Sequence, residues 1–302
     1  MRILVSGSSG LVGSALVPYL GTGGHQVVRL IRSRPAAGTA AISWDPAGRA
    51  LDPAALEGFD AIVHLGGERL VPGRWTEARK ARIRDSRVDS TRLLAETIGR
   101  LARPPQVLIC ASAVGYYGDR RDEILRDDAS PGRDYLAEVC RSWEAAADPA
   151  ARKGVRVVQH RFGVILSPKG GALRKMLPPF KLGLGGRLGD GRQYMSWIAL
   201  DDVLGAVEHA LTATALRGPV NTAAPHPVTN AEFTRTLGAV LGRPAFFPMP
   251  AFAARLAFGE VADSLLLASQ RAEPARLLAS GYRFRFPDLE PALRHLLGRP
   301  AR

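Results

Sequence analysis

The stretch SGSSGLVG at positions 6–13 carries the clearest chemical signature in this 302-residue sequence. Its glycines, Gly7, Gly10 and Gly13, follow a short apolar run and precede a segment whose apolar residues recur at helical spacing. Such glycines permit a tight turn, the approach of a pyrophosphate to the backbone, and close packing of a helix on a strand. Because a helix N-terminus offers free N–H groups to phosphates, the pattern predicts a dinucleotide-binding turn rather than a purely structural one.

The end of the second apolar run selects between the two nicotinamide dinucleotides. This run, residues 27–31, leads into Arg32, Ser33 and Arg34, with no carboxylate. An acidic residue there would hold the ribose hydroxyls of NAD and repel a 2′-phosphate, whereas a guanidinium donates two N–H groups to a phosphate. We therefore expect NADP(H), with Arg32 as the main contact. The alternative, an ordinary surface arginine in an arginine-rich chain, suits Arg34 better because Arg32 directly follows the strand.

Strand and helix patterns alternate through the first half of the chain and must position these residues. Nearly continuous apolar runs are typical of buried parallel strands, and they occur at 60–65, 106–112 and 155–160. Helical patterns cover 75–101 and 135–152. The alternation predicts an α/β fold, a Rossmann-type doubly wound parallel sheet. Since ligands bind at the carboxyl ends of such strands, Gly66 and Gly67 are expected to border the ligand crevice.

The character of the sequence changes after Leu166. The chain becomes rich in glycine and proline, and from Thr229 onward it is mostly helical. We predict a smaller, mostly helical C-terminal substrate domain. The predicted division is an NADP-binding domain over 1–165 and a substrate-binding region over 166–302, with about 193–225 returning to the sheet.

The charge balance bears on possible partners. The formal net charge is +13, from 41 Lys and Arg against 28 Asp and Glu, and the cations are dispersed over the whole chain. The densest run, 74–87, alternates with apolar residues as a solvated helix face does. We attribute the charge to an arginine-rich composition and to an anionic cofactor, not to a nucleic-acid or lipid surface. The expected partner is a small-molecule substrate, with no nucleic acid and no membrane, for a monomer or homodimer.

Cysteine and histidine usage points to a reduced compartment and no metal. Cys110 and Cys140 form no motif, and no pair among the six histidines shows metal-ligand spacing. The first strand begins at Arg2, so we expect no leader peptide, and no apolar run approaches the ~20 residues that span a bilayer. We predict a cytoplasmic protein.

Several longer motifs together resemble the extended short-chain dehydrogenase/reductase superfamily. They are SGSSGLVG, HLGGE at 64–68, DSR at 85–87, SAVGYYGD at 112–119, RFGVILS at 161–167, LGLGG at 182–186, SWI at 196–198 and NAEF at 230–233. More narrowly, the chain looks like the atypical group of NAD(P)-dependent epimerase family proteins with a distinct helical C-terminal domain. The resemblance implies these cofactor contacts: Gly7, Ser8, Ser9, Gly10, Leu11, Val12, Arg32, Leu65, Gly66, Gly67, Arg87 and Val164.

The catalytic pattern of that superfamily is incomplete in this chain. It combines a Ser or Thr with a Tyr and, four residues later, a Lys that depresses the Tyr pKa. Ser112 matches the first position, but Tyr135 is followed four residues later by Val139 and Leu136 by Cys140. As replacement proton donors we predict two tyrosines of the loop after Ser112. They are Tyr117 and, as its near equal, Tyr116. The alternative for this pair is packing of a pocket wall.

Polar and aromatic residues farther along the chain are candidates for substrate contact. We predict Glu68, Arg161 and Trp197, and consider Lys181, Arg187 and Gln193 as well. The sequence leaves two alternatives for Trp197: it stacks on a ring of the substrate, or it belongs to the apolar core. The resulting hypothesis is an NADP-dependent oxidoreductase or nucleotide-sugar-epimerase-like protein acting on a small polar substrate. The alternative is a catalytically weak NADP-binding sensor or scaffold.

Overall fold

Strands and helices alternate through the first 166 residues of the computed structural model, which describes residues 1–71 and 73–300. The strands are β1 (Arg2–Ser6), β2 (Gln26–Ile31), β3 (Ala41–Ser43), β4 (Ala61–His64), β5 (Val107–Ala113), β6 (Ile124–Leu125), β7 (Arg156–Phe162) and β8 (Val164–Leu166). The helices are α1 (Leu11–Thr22), α2 (Glu77–Gly99), α3 (Tyr135–Ala145) and α4 (Asp148–Arg152).

The remaining elements are shorter on average and mostly helical. They are α5 (Gly171–Lys181), β9 (Tyr194–Met195), β10 (Trp197–Ala199), α6 (Leu200–Thr212), β11 (Gly218–Thr222), β12 (Val228–Thr229), α7 (Asn230–Leu241), α8 (Ala251–Phe258), β13 (Arg271–Ala272), α9 (Ala275–Ala279) and α10 (Leu289–Leu296). Within the described residues, no helix combines the length and apolarity needed to cross a bilayer.

The central sheet confirms the predicted doubly wound fold. Its seven strands lie in the order β11-β7-β5-β4-β1-β2-β3, and every neighbouring pair is parallel. The chain leaves β1 toward β2 on one side, and β4 then pairs on the other side of β1. This reversal creates a crevice at the carboxyl ends of β1 and β4, the position where such sheets bind ligands.

Alternate residues of the inner strands supply the cores on both faces of the sheet. Ile3 and Val5 of β1 pack in the cluster that includes α1 and α6, whereas Leu4 between them packs with α2. This alternation follows from the two-residue period of a strand and explains why these runs are apolar throughout. The rigid, doubly covered sheet fixes the strand ends that build the site.

The region predicted as one helix over 135–152 is two helices. α3 is capped by Asp134, whose side chain accepts a hydrogen bond from the backbone N–H of Ala137, and it ends at Ala145. α4 then begins at Asp148 with Pro149 in its first turn. Proline lacks the N–H that a continuous helix needs, so the chain restarts at this residue.

The C-terminal region packs around its own apolar cluster. Helices α5, α7 and α10 contribute Leu173, Phe233 and Leu293 to it, together with Trp197 of β10. β10 pairs with β8 outside the main sheet, whereas β11 returns to pair with β7. The boundary placed at 165/166 stays a prediction.

Candidate active site

The glycine-rich turn joins β1 to α1 and leans on the end of β4. Gly7 has φ +67°, and a Cβ on it would lie 2.6 Å from the backbone of Leu65. A Cβ on Gly13 would lie 2.2 Å from the carbonyl oxygen of Gly7. Gly10 differs, because its backbone is extended (φ −76°, ψ 177°) and its Cβ would meet only the Gly7 oxygen, at 3.3 Å. The fold itself therefore requires Gly7 and Gly13, while Gly10 leaves open space above the turn.

The N-terminus of α1 is chemically suited to an anion. Gly10 provides no side-chain cap, and the first turn of the helix contains no acidic residue. The first N–H groups of a helix have no intrahelical partner and carry the positive end of its dipole. Of the predicted contacts, Ser9 and Gly10 are exposed, and Ser8, Leu11 and Val12 are half-buried around this end. These residues fit a dinucleotide pyrophosphate.

Arg87 of α2 is a cation without an anion. Its guanidinium donates to the carbonyl oxygens of Ile83 (2.9 Å) and Glu68 (2.9 Å) and lies over the Trp143 ring, 5.2 Å from its centroid. It forms no ion pair within residues 1–71 and 73–300. Burial lowers the pKa of Arg87, as expected for a desolvated charge that lacks a carboxylate partner. A Cβ on Gly67 would lie 3.2 Å from its Cζ, so Arg87 lies directly beside the end of β4.

The other predicted cofactor contacts lie along the same edge of the sheet. Arg32 is exposed directly after β2. Leu65 and Gly66 are half-buried after β4, and Leu65 donates its N–H to the Ser6 carbonyl (3.3 Å). Val164 begins β8 and is half-buried beyond the end of β7. These positions fit a ligand that extends from β2 across β1 and β4 toward β7.

His64, the last residue of β4, is a site residue that sequence reasoning missed. It is fully buried, with Nδ1 2.5 Å from the Ser6 hydroxyl and Nε2 3.1 Å from the Ser90 hydroxyl. Burial lowers its pKa to about 4, so the ring is neutral at physiological pH. The imidazole thus ties the ends of β1 and β4 to α2 beneath the turn. The sequence signal for this residue was a histidine within the otherwise apolar strand pattern at 60–65.

A buried ion pair occupies the position next to Ser112. Arg161 binds Glu144 through Nε to Oε1 (2.8 Å) and through a terminal nitrogen to Oε2 (2.7 Å). The side chains of Arg161 and Glu144 are only 3 % and 10 % exposed. Ser112 donates its hydroxyl proton to Glu144 Oε1 at 2.7 Å. Burial opposes the charged form of Arg161, but its bonds to Glu144 prevail and raise the arginine pKa. Ser112 is itself buried (3 % exposed), and because its proton is donated to Glu144 it can only accept a hydrogen bond from a group that reaches it.

Tyr117, the predicted proton donor, is in the wrong place. It is completely buried, and its hydroxyl donates to Asn221 Oδ1 (2.7 Å) while accepting from Arg161 (2.9 Å). Burial raises its pKa to about 12, although the neighbouring Arg161 acts to lower it. We therefore correct the assignment: Tyr117 is part of the structural network. Tyr116 is half-buried, and its ring stacks under the Arg161 guanidinium with Cζ 3.5 Å from the ring centroid.

Three of the predicted substrate contacts are buried and bonded to other parts of the protein. Trp197 is fully buried, and its indole N–H donates to the His226 carbonyl (3.1 Å), so the core alternative is correct. Gln193 is buried, and its amide donates to the carbonyls of Leu188 and Leu266. Arg161 is committed to Glu144. Glu68 is half-buried beside Arg87, and Lys181 and Arg187 are exposed. These three stay predictions.

Glu144 is the second residue that sequence reasoning missed. It lies on α3, four residues after Cys140 and eight after Leu136, which form one of the two registers that lack the Tyr-Lys pair. Because residues four apart share one helix face, the spacing alone placed Glu144 on the same face of the helix as Leu136 and Cys140. Cys140 is buried, and burial raises its pKa to about 12, which leaves it a neutral thiol.

Comparison with known proteins places this geometry in a family context. The model described as "NAD dependent epimerase/dehydratase family" matches residues 3–222. A second model, "Domain of unknown function (DUF1731)", matches residues 249–296. "Epimerase family protein Mb2239" of Mycobacterium bovis is 44 % identical over 298 residues, covering 99 % of this chain and 98 % of its own. Human "Epimerase family protein SDR39U1" is 39 % identical over 301 residues, covering 98 % of this chain and all of its own (100 %).

Solved structures show the same relationship. The crystal structure of human epimerase family protein SDR39U1 (isoform2) with NADPH has a TM-score of 0.89 and 36 % identity, covering 99 % of each chain. The nucleoside-diphosphate sugar epimerase from Corynebacterium glutamicum has a TM-score of 0.79 and 40 % identity, covering 99 % of this chain and 58 % of the other. MoeE5 in complex with UDP-glucuronic acid and NAD shares the fold, with a TM-score of 0.74 at 20 % identity.

Proposed function

Because the chain belongs to the NAD dependent epimerase/dehydratase family, we propose that it is an NADP-dependent oxidoreductase or epimerase acting on a hydroxyl-bearing, small polar substrate. Two observations carry the cofactor part: the uncapped N-terminus of α1, and Arg87, which lies beside Gly67 after β4 and is a desolvated guanidinium without an ion-pair partner in the described chain. A pyrophosphate satisfies both. The human relative solved with NADPH supports the choice of NADP, as does Arg32 after β2.

The residues have separate tasks in holding the cofactor. The open space at Gly10 and the N–H groups of α1 receive the pyrophosphate, and Arg87 neutralises its charge. Arg32 binds the 2′-phosphate of the adenosine ribose. Val164 borders the nicotinamide end, as the resemblance implies. The cofactor, when bound, supplies hydride-transfer chemistry that no side chain can supply.

Ser112 and Glu144 take the place of the missing Tyr-Lys pair in this proposal. Since the Ser112 proton points to Glu144, the free lone pairs of Ser112 accept a proton-bearing group such as a substrate hydroxyl. As that hydroxyl is oxidised, its proton passes to Ser112 Oγ and the serine proton passes to Glu144 Oε1. Return of the proton by the same route accompanies reduction. Arg161 fixes the carboxylate so that one oxygen always faces Ser112.

The hydrogen bonding at Ser112 favours tight binding of the alcohol form of the substrate over its carbonyl form. A carbonyl oxygen would need a donor, and the hydroxyl proton of Ser112 is already donated to Glu144. Tyr116, half-buried on the other side of Arg161, is the second hydroxyl at this strand end. It is the candidate that binds the product carbonyl.

One feature favours the alternative function, a catalytically weak NADP-binding sensor. Neither register of α3 holds the Tyr-Lys pair, because Tyr135 is followed four residues later by Val139 and Leu136 by Cys140, and both Val139 and Cys140 are buried. An apolar side chain and a neutral thiol exchange no proton at neutral pH. A sensor needs only the Gly10 space and Arg87, which are independent of Ser112.

The two functions separate in one experiment. Purified protein is incubated with NADP⁺ and a panel of small alcohols, free sugars and nucleotide sugars, and absorbance of NADPH is followed. We expect slow turnover that falls by ~10²-fold in Ser112→Ala, because a proton-transfer group is lost. Calorimetric NADPH affinity should stay unchanged in that variant. Ser14→Ala, an exposed serine of α1, is the matched control.

The outcome of this experiment decides between the enzyme and the sensor. Turnover that depends on Ser112 supports an enzyme that uses this site. Tight NADPH binding without turnover of any compound supports the sensor. Absence of both NADPH and NADH binding contradicts the proposal as a whole.

A further inference from the structure

The exposed apolar side chains of this protein are concentrated in two short segments. Eleven large apolar side chains are exposed among the described residues, and eight of them lie in 182–184 and 246–258. They are Leu182 (74 %), Leu184 (57 %), Phe246 (70 %), Phe247 (50 %), Met249 (38 %), Phe252 (71 %), Leu256 (74 %) and Phe258 (40 %). We call these eight residues the protruding face. Clustered exposure of this kind marks an interaction surface.

Backbone contacts join the two segments into one surface. Phe247 donates its N–H to the Gly185 carbonyl (3.1 Å), and Met249 donates to the Arg187 carbonyl (2.9 Å). The rings of Phe246 and Phe247 lie 4.7 Å apart. Helix α8 follows two residues after Met249 and carries Phe252 and Leu256 four residues apart, on one side of the helix. The face is built by packed backbone and is not a set of scattered side chains.

The two sequence segments that carry the protruding face contain cations and no carboxylates. The stretches 169–189 and 243–258 contain no Asp or Glu. Their cations are Lys169, Arg174, Lys175, Lys181, Arg187, Arg243 and Arg255. All seven are exposed, and Arg255 is paired with Asp263 at 2.9 Å. Apolar side chains surrounded by cations match a partner that is apolar inside and anionic at its surface.

We propose that the protruding face docks the protein on the surface of an anionic lipid bilayer, with Leu182, Phe246, Phe252 and Leu256 entering the headgroup–acyl boundary. A second copy of the chain is a poor partner, because like charges would meet across the interface. The four side chains are each at least 70 % exposed and project outward, whereas a peptide-binding site is a groove. Lysines and arginines beside them are attracted to anionic headgroups.

This inference revises the expectation of no membrane partner and is independent of the proposed chemistry. The sequence showed the arginines as dispersed because the two segments are about sixty residues apart along the chain. The fold brings them together through the Gly185 and Arg187 contacts. None of the eight residues of the protruding face is among those assigned to cofactor binding.

Sedimentation with vesicles tests the proposal on the full chain. Wild type is mixed with sucrose-loaded vesicles of phosphatidylcholine alone, or of equimolar phosphatidylcholine and phosphatidylglycerol. We expect binding to the anionic vesicles, with at least about a tenfold weaker partition coefficient in Phe252→Ser/Leu256→Ser. Leu278→Ser, an apolar residue on α9 that is 43 % exposed, is the control and should bind as wild type does.

A charge variant separates lipid docking from nonspecific adhesion. Lys181→Glu/Arg243→Glu should weaken binding strongly in dilute buffer. In about 1 M salt, where the Debye length is ~3 Å, it should resemble wild type. The proposal is overturned by equal binding to both vesicle types, by no binding to anionic vesicles, or by equal partition of wild type and the Phe252/Leu256 variant. It is also overturned if light scattering shows a wild-type dimer that this variant converts to a monomer.

Discussion

Gly10 is the position where the structure separates folding from cofactor binding. A Cβ there would meet only the Gly7 oxygen, at 3.3 Å, and the extended backbone accepts any residue. Gly10→Val therefore requires a shift of a few tenths of an ångström and a poorer helix N-cap, a cost of about 1 kcal/mol. Its branched side chain fills the space in which we place the pyrophosphate. We expect a folded protein that no longer binds NADPH.

The expected thermal shifts follow from these magnitudes. NADPH at a hundredfold excess over its Kd should stabilise wild type by about 2.7 kcal/mol. For a chain of this size, with an entropy of unfolding of about 0.6 kcal/mol/K, that is a rise in Tm of roughly 4 °C, whereas the Gly10→Val cost alone lowers Tm by roughly 2 °C. The variant should show the small decrease and no rise with NADPH. Differential scanning fluorimetry with and without NADPH measures both.

Two glycines of the same segment are controls. Gly21, in α1, has open space around its Cβ position, so Gly21→Val should retain the NADPH-induced rise. Gly13→Val should fail to fold, because its Cβ would lie 2.2 Å from a backbone oxygen. If Gly10→Val keeps the full NADPH-induced rise in Tm, the turn is only structural and the reasoning is refuted.

The other predictions concern cofactor choice, the buried network and acid stability. Arg32→Ala should weaken the binding of NADPH by about 1.5–3 kcal/mol and leave the binding of NADH unchanged, as measured by calorimetric titration with Arg34→Ala as the control. Equal affinities of the wild type for NADPH and NADH would contradict this prediction. Tyr117→Phe should lower the urea-measured stability by about 1–3 kcal/mol without a ~10²-fold loss of rate, because the hydroxyl is bonded to Asn221 and Arg161. Burial lowers the pKa of His64 to about 4 and of His160 to about 3, below the unfolded value near 6.5. The unfolded chain thus binds more protons below pH 6.5, and stability should fall by about 2 kcal/mol per histidine between pH 6.5 and 5. A flat urea profile over this range would exclude buried neutral histidines.

The fold was predictable because its signals are local. Continuous apolar runs encode strands covered on both faces, and Gly7, Gly10 and Gly13 encode the turn that reverses the chain at β1. The break between α3 and α4 was also local, since Pro149 stands at the restart. The single helix predicted there followed apolar spacing and overlooked the missing N–H of proline.

The part of the site around Ser112 was less predictable, because it depends on contacts between side chains that are distant in the sequence. Arg161 meets Glu144 across 17 residues, and Tyr117 meets Asn221 across 104. Tyr116 and Tyr117 are adjacent and chemically identical, so only the three-dimensional packing decides which hydroxyl is buried. Trp197 shows the same limit, since a tryptophan on a short strand suits a cleft and a core equally well until its neighbours are known.

The two arginines of the site, Arg161 and the half-buried Arg87, differ in their electrostatic state, and this difference constrains the ligand. Arg161 is neutralised by Glu144, and bonding to that carboxylate raises its pKa despite burial. Among the described residues, Arg87 has only carbonyl partners and an aromatic ring, and burial lowers its pKa. An anionic group gains most beside Arg87, where it supplies the missing counter-charge, and gains little beside Arg161. The phosphates of the ligand therefore belong at the β1–β4 crevice, and the reacting end near Ser112 should be polar but uncharged.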